Sequence, residues 1–118
     1  VIIRDNVLLS TGYNGAPAGA PQCDEVGCLI KEMKHDDGHV SKHCKRTVHA
    51  EANAILQAAK NGVTIKGGTL FSGMTPCRDC AMLIVNSGLK TVIVKEDYHE
   101  SAETKKMFED AGVELVIL

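Results

Sequence analysis

Two short motifs restrict this chain more than any other feature: His49-Ala50-Glu51, and 26 residues after Glu51 the run Cys77-Arg78-Asp79-Cys80, with Pro76 directly ahead of it. One imidazole and two thiols are metal donors. Any fold the chain adopts must therefore carry segments distant in sequence to within bonding range of one cation. A closed structural zinc site takes four protein ligands, whereas a catalytic site takes three and leaves the fourth position to water. One His and two Cys match the second case. Glu51, beside the ligand His and not needed as a ligand, is then available to carry a proton.

Local patterning supports that convergence. Val48, Ala52, Ile55, Leu56 and Ala59 fall at helical spacing and predict an amphipathic helix, with Thr47 as its N-cap and Asn61-Gly62 as its stop. A second helical run, Ala81 to Val85, follows Pro76 and ends at Ser87-Gly88. His49 and Glu51 are thus expected in one first turn, and Cys77 and Cys80 at another helix start. There the positive end of the helix dipole favours thiolate and steadies negative charge.

The rest of the chain reads as a layered α/β domain. Val1-Ile2-Ile3 and Val7 to Thr11 predict two strands joined by a tight turn at Arg4-Asp5-Asn6. The chain starts inside a strand, so an N-terminal element is expected ahead of it. Gly12 to Pro21 is a Gly/Pro loop whose glycines permit close approach to a ligand and whose Asn14 offers both donor and acceptor. Thr69 to Ser72, Thr91 to Val94 and Val113 to Leu118 predict strands, and 101 to 111 a third helix stopped by Gly112. Strand, helix, strand in that order implies right-handed crossovers and parallel pairing. The expectation is one domain over 1–118 with a mixed sheet of about five strands, the last two parallel. Both motif cysteines then follow the C-terminal end of a strand, where open α/β sheets place ligands.

Residues 22–46 are the least regular segment and hold Cys23, Cys28, His35, His39, His43 and Cys44. Cys23, Cys28, His43 and Cys44 predict a second, structural zinc site, with His35 or His39 as a replacement for one ligand. A long loop with little apolar periodicity needs such a clamp to be ordered. The five cysteines are odd in number and interleaved with histidine. Without a signal peptide they read as metal ligands in a reducing cytoplasm rather than as a disulfide framework. No apolar run is long enough to span a membrane. A net charge of −2, with 3% aromatic residues and no Trp, argues against a nucleic-acid partner.

Together, His49-Ala50-Glu51, Pro76 to Cys80, Ser10-Thr11-Gly12-Tyr13-Asn14-Gly15 and His43 to Thr47 resemble the deoxycytidylate (dCMP) deaminase family over essentially the whole chain. The resemblance implies the three-layer α/β/α cytidine-deaminase-like fold, zinc, and conversion of dCMP to dUMP and ammonia, which feeds dTMP synthesis. It implies a homohexamer controlled by dCTP (activating) and dTTP (inhibiting) with Mg²⁺, and in some members a second zinc held by insertion residues such as Cys23. It places Asn14 on the sugar or base edge, the Ala50 backbone and Thr75 around the pyrimidine, and Tyr98 over the deoxyribose. Arg46, Lys45 and Arg78 are the cations nearby for phosphate. The resemblance also implies an N-terminal helix ahead of the first strand, which is the element expected before Val1.

On this reading a zinc ion held by His49, Cys77 and Cys80 activates a water for attack at C4 of cytosine, and Glu51 acts as base and then as acid. Competing expectations are a deaminase of another cytosine nucleotide or of a nucleoside or base. From a different class comes a zinc-stabilised interaction module, which would show four protein ligands at each metal.

Overall fold

The computed structural model describes residues 1–118. In chain order its elements are β1 (Ile2–Arg4), β2 (Val7–Ser10), α1 (Cys23–Val26), β3 (Ile30–Lys34), β4 (Val40–Cys44), α2 (Ala50–Lys60), β5 (Thr69–Met74), α3 (Arg78–Asn86), β6 (Thr91–Glu96), α4 (Ala102–Ala111) and β7 (Glu114–Ile117). They form two compact units, one of Val1–Tyr13 with Ala50–Leu118 and one of Asn14–His49.

The larger unit holds a mixed five-stranded sheet in the order β2-β1-β5-β6-β7. β1 runs antiparallel to both β2 and β5, and β5, β6 and β7 are mutually parallel. The parallel run is therefore three strands long, one more than the sequence reading gives. Asp5 and Asn6 both take positive φ, 53° and 62°, as a two-residue hairpin loop with right-handed strand twist requires. Ile2, Leu70, Val92 and Val94 point to one face and are essentially fully buried. Ala54 and Ala58 of α2, Ala81 and Ile84 of α3 and Phe108 of α4 join them in a single core. Period-2 alternation leaves Phe71 on the other face, 39% exposed.

The α2 start differs from the sequence reading. Thr47 is not its N-cap, because the Val48 backbone is held in a bridge with Gly15 (Val48 N to Gly15 O 2.8 Å), so helical turns begin only at Ala50. α3 begins one residue after Cys77, with Cys77 itself at the N-cap. Gly112 closes α4 in the left-handed conformation, φ 73°.

The smaller unit is more regular than expected. Residues 30–44 form an antiparallel hairpin, β3 against β4, with Ile30 opposite Cys44 and Met33 opposite Ser41. Its strands lack apolar alternation because neither face is buried: Ile30, Met33 and Val40 are all exposed. The short α1 precedes it and ends at Gly27, φ 82°.

Candidate metal centre and active site

The loop that carries Cys77 is clamped by three hydrogen bonds. Strand β5 delivers Thr75, whose N–H donates to the Glu96 carbonyl at 3.1 Å and whose hydroxyl donates to Asp97 Oδ1 at 2.8 Å. The buried Thr104 hydroxyl of α4 donates to the Pro76 carbonyl at 2.9 Å. Pro76 cannot donate, and it directs the chain into the helix start. Cys77 and Cys80 are then three residues apart on one turn, and Cys80 is buried at 3% exposure.

His49 is bonded to the first residue of α2 and is placed by that helix start. The ligand atoms of His49, Cys77 and Cys80 lie within 4.8 Å of one another. A hydrogen bond to the Cys77 sulfur, and then burial, push the Cys80 thiol above the ordinary thiol range. A cation arriving at this pair must therefore displace a proton. Two thiols and an imidazole are a donor set that fits Zn²⁺.

Glu51, the second residue of α2, receives a hydrogen bond from Ser72 Oγ at 2.6 Å. The same carboxylate borders a cavity of about 170 Å³ lined also by Gly12, Ala50, Ser72 and Gly73. A larger open groove of about 700 Å³ lies along α3 and α4 and is lined by Arg78, Glu103, Lys106 and Met107. It contains none of the metal donors.

In the smaller unit, Cys23, Cys28 and Cys44 bring their sulfurs within 4.8 Å of one another, with Cys23 and Cys44 at 3.6 Å. The backbone N–H of Arg46 leads in lowering the Cys44 thiol to about 6, and burial, then the bond to Cys44, raise Cys23 to about 11. Cys44 is thus biased toward thiolate and Cys23 toward thiol. His43 does not join them. Adjacent strand residues face opposite ways, so with Cys44 toward the thiols His43 turns to the other face, its Nε2 2.7 Å from Ser41 Oγ. His35 Nε2 meets the same hydroxyl at 2.6 Å and its ring stacks on His39.

The other expected contact residues have structural partners. Arg46 Nε donates to the Gly27 carbonyl at 2.9 Å and braces the end of α1. The Tyr98 hydroxyl donates to Glu100 at 3.0 Å, and the half-buried ring leans on His99. Asn14 is exposed at the start of the smaller unit. The close approach at Gly12 is to protein backbone rather than to a ligand: an added Cβ would sit 2.3 Å from Ala50 O and 2.4 Å from Ala54 N. Sequence reasoning missed Ser72, Asp97 and Thr104. For Ser72 a signal exists, since the alternation Leu70-Phe71-Ser72 puts it on the buried face of β5.

Residues 1–96 match the family model for the cytidine and deoxycytidylate deaminase zinc-binding region. The chain belongs to this deaminase family. Among relatives, it is 40% identical to ComE operon protein 2 of Bacillus subtilis (strain 168) over 112 residues, which cover 95% of this chain and 54% of that protein. It is 34% identical to the deoxycytidylate deaminase of Enterobacteria phage T4 over 145 aligned positions, covering 98% of this chain and 75% of the phage enzyme. The human deoxycytidylate deaminase is 32% identical over 117 positions, with 96% of this chain and 62% of that protein covered. The dCMP deaminase of cyanophage S-TIM5, solved in complex with dCMP and dUMP, superposes with a TM-score of 0.78 at 27% identity, over 100% of this chain and 78% of that one. The five-stranded mixed sheet and its parallel β5-β6-β7 run are the family's fold. No helix is long and apolar enough to cross a membrane.

Proposed function

We infer that this chain is the zinc-dependent deaminase domain that hydrolyses dCMP to dUMP and ammonia. The observation that carries the reading is a three-donor group, His49, Cys77 and Cys80, with its ligand atoms within 4.8 Å and with Glu51 two residues from the ligand His. Three protein ligands leave a position for water, which a structural site does not. The phage relatives named deoxycytidylate deaminase and the cyanophage structure holding dCMP and dUMP support this nucleotide as substrate.

Zinc, when bound, supplies the Lewis acidity that lets a water lose its proton near neutral pH. Every proton movement then falls to Glu51. It takes one proton from the attacking water and delivers it to N3 as C4 becomes tetrahedral, then takes the proton of the new C4 hydroxyl and passes it to the departing amine. Water adds, ammonia leaves, and the carboxylate ends as it began. Gly73, without a side chain, leaves the cavity beside Glu51 open to a flat ring.

Residues 1–118 act as a single deaminase domain in which 22–46 is an insertion, clamped by a second zinc on Cys23, Cys28 and Cys44 with a fourth ligand from outside these three thiols. Asn14, the Ala50 backbone, Thr75 and Tyr98 are the candidate substrate contacts, with Arg46 for phosphate. The working enzyme is a cytoplasmic homohexamer that dCTP and Mg²⁺ activate and dTTP inhibits, as the resemblance implies.

The test is ammonia release and the ultraviolet change on zinc-loaded protein offered dCMP, dCTP, cytidine and adenosine in parallel. Turnover confined to dCMP is expected. Turnover of cytidine or dCTP in preference would replace the substrate assignment while keeping the chemistry.

A further inference from the structure

Glu51 is the only proton carrier the reaction above uses, and a glutamate side chain has three rotatable bonds by which to lose its aim. Its carboxylate makes one hydrogen bond, from Ser72 Oγ to Oε1 at 2.6 Å. Ser72 is not a flexible partner. It lies in β5, the central strand of the sheet, flanked by β1 and β6 and in register with Val94. Leu70, two residues earlier on the same face, is 1% exposed, so the Ser72 side chain is directed at the helical layer and the start of α2. Because a carboxylate can only accept, the hydroxyl proton is committed to Oε1.

We propose that Ser72 is a positioning residue for this deaminase: its hydroxyl holds Oε1 so that Oε2 is the oxygen presented to water and to the ring nitrogen. The inference rests on the deaminase reading and deepens it. Ser72 acts through Glu51, its hydroxyl being committed to that carboxylate. A carboxylate anchored by one oxygen to a rigid strand is preorganised for transfer through the other, and misplacement of about 1 Å costs on the order of 10²-fold in rate.

The experiment compares wild type with Ser72→Ala, Ser72→Val and Ser72→Thr, all zinc-loaded, with dCMP as substrate. Ala and Val remove the hydroxyl at smaller and larger volume, so a packing fault in one is exposed by the other. Both are expected to lower kcat by roughly 10- to 100-fold with KM within about twofold, while zinc content, melting temperature and dUMP affinity stay at wild-type values. Ser72→Thr restores the hydroxyl and is expected to recover kcat to within about threefold. In a Glu51→Gln background, Ser72→Ala should add no further loss, because both changes disable one unit. Unchanged kcat in Ala and Val would overturn the proposal, as would a rise in KM with kcat intact, which would make Ser72 a substrate contact. Wild type inactive on every nucleotide would instead remove the deaminase reading and this inference with it. Active wild type with unaffected variants removes the inference alone.

Discussion

At Gly12 an added Cβ would lie 2.3 Å from the Ala50 carbonyl oxygen and 2.4 Å from the Ala54 amide nitrogen, both of them helix backbone that cannot yield as a side-chain tip can. The Ser10 hydroxyl, two residues earlier, donates to the Ala54 carbonyl at 2.6 Å. Together they seat the start of α2, and with it Glu51, against β2. Gly12→Ala is therefore expected to destabilise the fold by about 3 kcal/mol or more, and denaturant melts of the pair would show it as a lower midpoint with unchanged slope. A wild-type midpoint for the variant would mean that α2 does not rest on this glycine. The sequence marks this stretch as special through its glycines. It does not say whether ligand or helix makes the close approach, since that depends on a partner about 40 residues away. The candidate metal donors and the glutamate beside them are easier to read because their covalent spacing is itself the signal: His49 with Glu51, and Cys77 with Cys80. Ser72, a lone serine in a strand, has no such spacing to announce it.

The loop before α3 depends on a small polar network that no local pattern reveals. Asp97 accepts from Lys105 Nζ at 2.5 Å, Thr75 Oγ1 at 2.8 Å and Ser101 Oγ at 2.9 Å, tying the end of β6 to the Cys77 loop and to α4. The Lys105 bond leads, followed by those of Thr75 and Ser101, in lowering the Asp97 carboxyl from 3.8 to about 2. A carboxyl depressed in the folded state adds stability that is present above its unfolded value and is lost as pH falls through its folded value. The melting temperature of wild type should accordingly exceed that of Asp97→Asn at pH 5 and above. The gap should close between pH of about 4 and 2. A gap that persists unchanged at pH 2 would contradict the assignment. At the level of elements, the helices over α2, α3 and α4 and the strands β5 to β7 are legible because each buries one face, which imposes periodicity. Hairpin β3–β4 is not legible for the opposite reason: with both faces solvated, Ile30, Met33 and Val40 are under no pressure to alternate with polar residues. The same hairpin separates His43 from Cys44, a consequence of strand pleat that a list of donors cannot foresee.

For the molecule as a whole, the mixed sheet follows from its connections, since strand-helix-strand units force parallel neighbours and the tight turn at Asp5-Asn6 forces an antiparallel pair. The two donor groups that contain thiols, in which every cysteine of the chain is used, predict two zinc ions per chain. Elemental analysis of undamaged protein should find both, and Cys44→Ser should remove one while leaving the ion at Cys77 and Cys80; one zinc in wild type would show that the thiol group of the smaller unit is not a metal site. On the proposed function, Glu51 moves the protons at a metal centre it does not help to hold. The most direct measurement is ammonia release from dCMP by zinc-loaded Glu51→Gln beside wild type, with zinc counted in both. The predicted result is full zinc content, retained dUMP binding, and turnover lower by several orders of magnitude, at least about 10³-fold. Turnover within about tenfold of wild type at full zinc content would rule out Glu51 as the proton carrier.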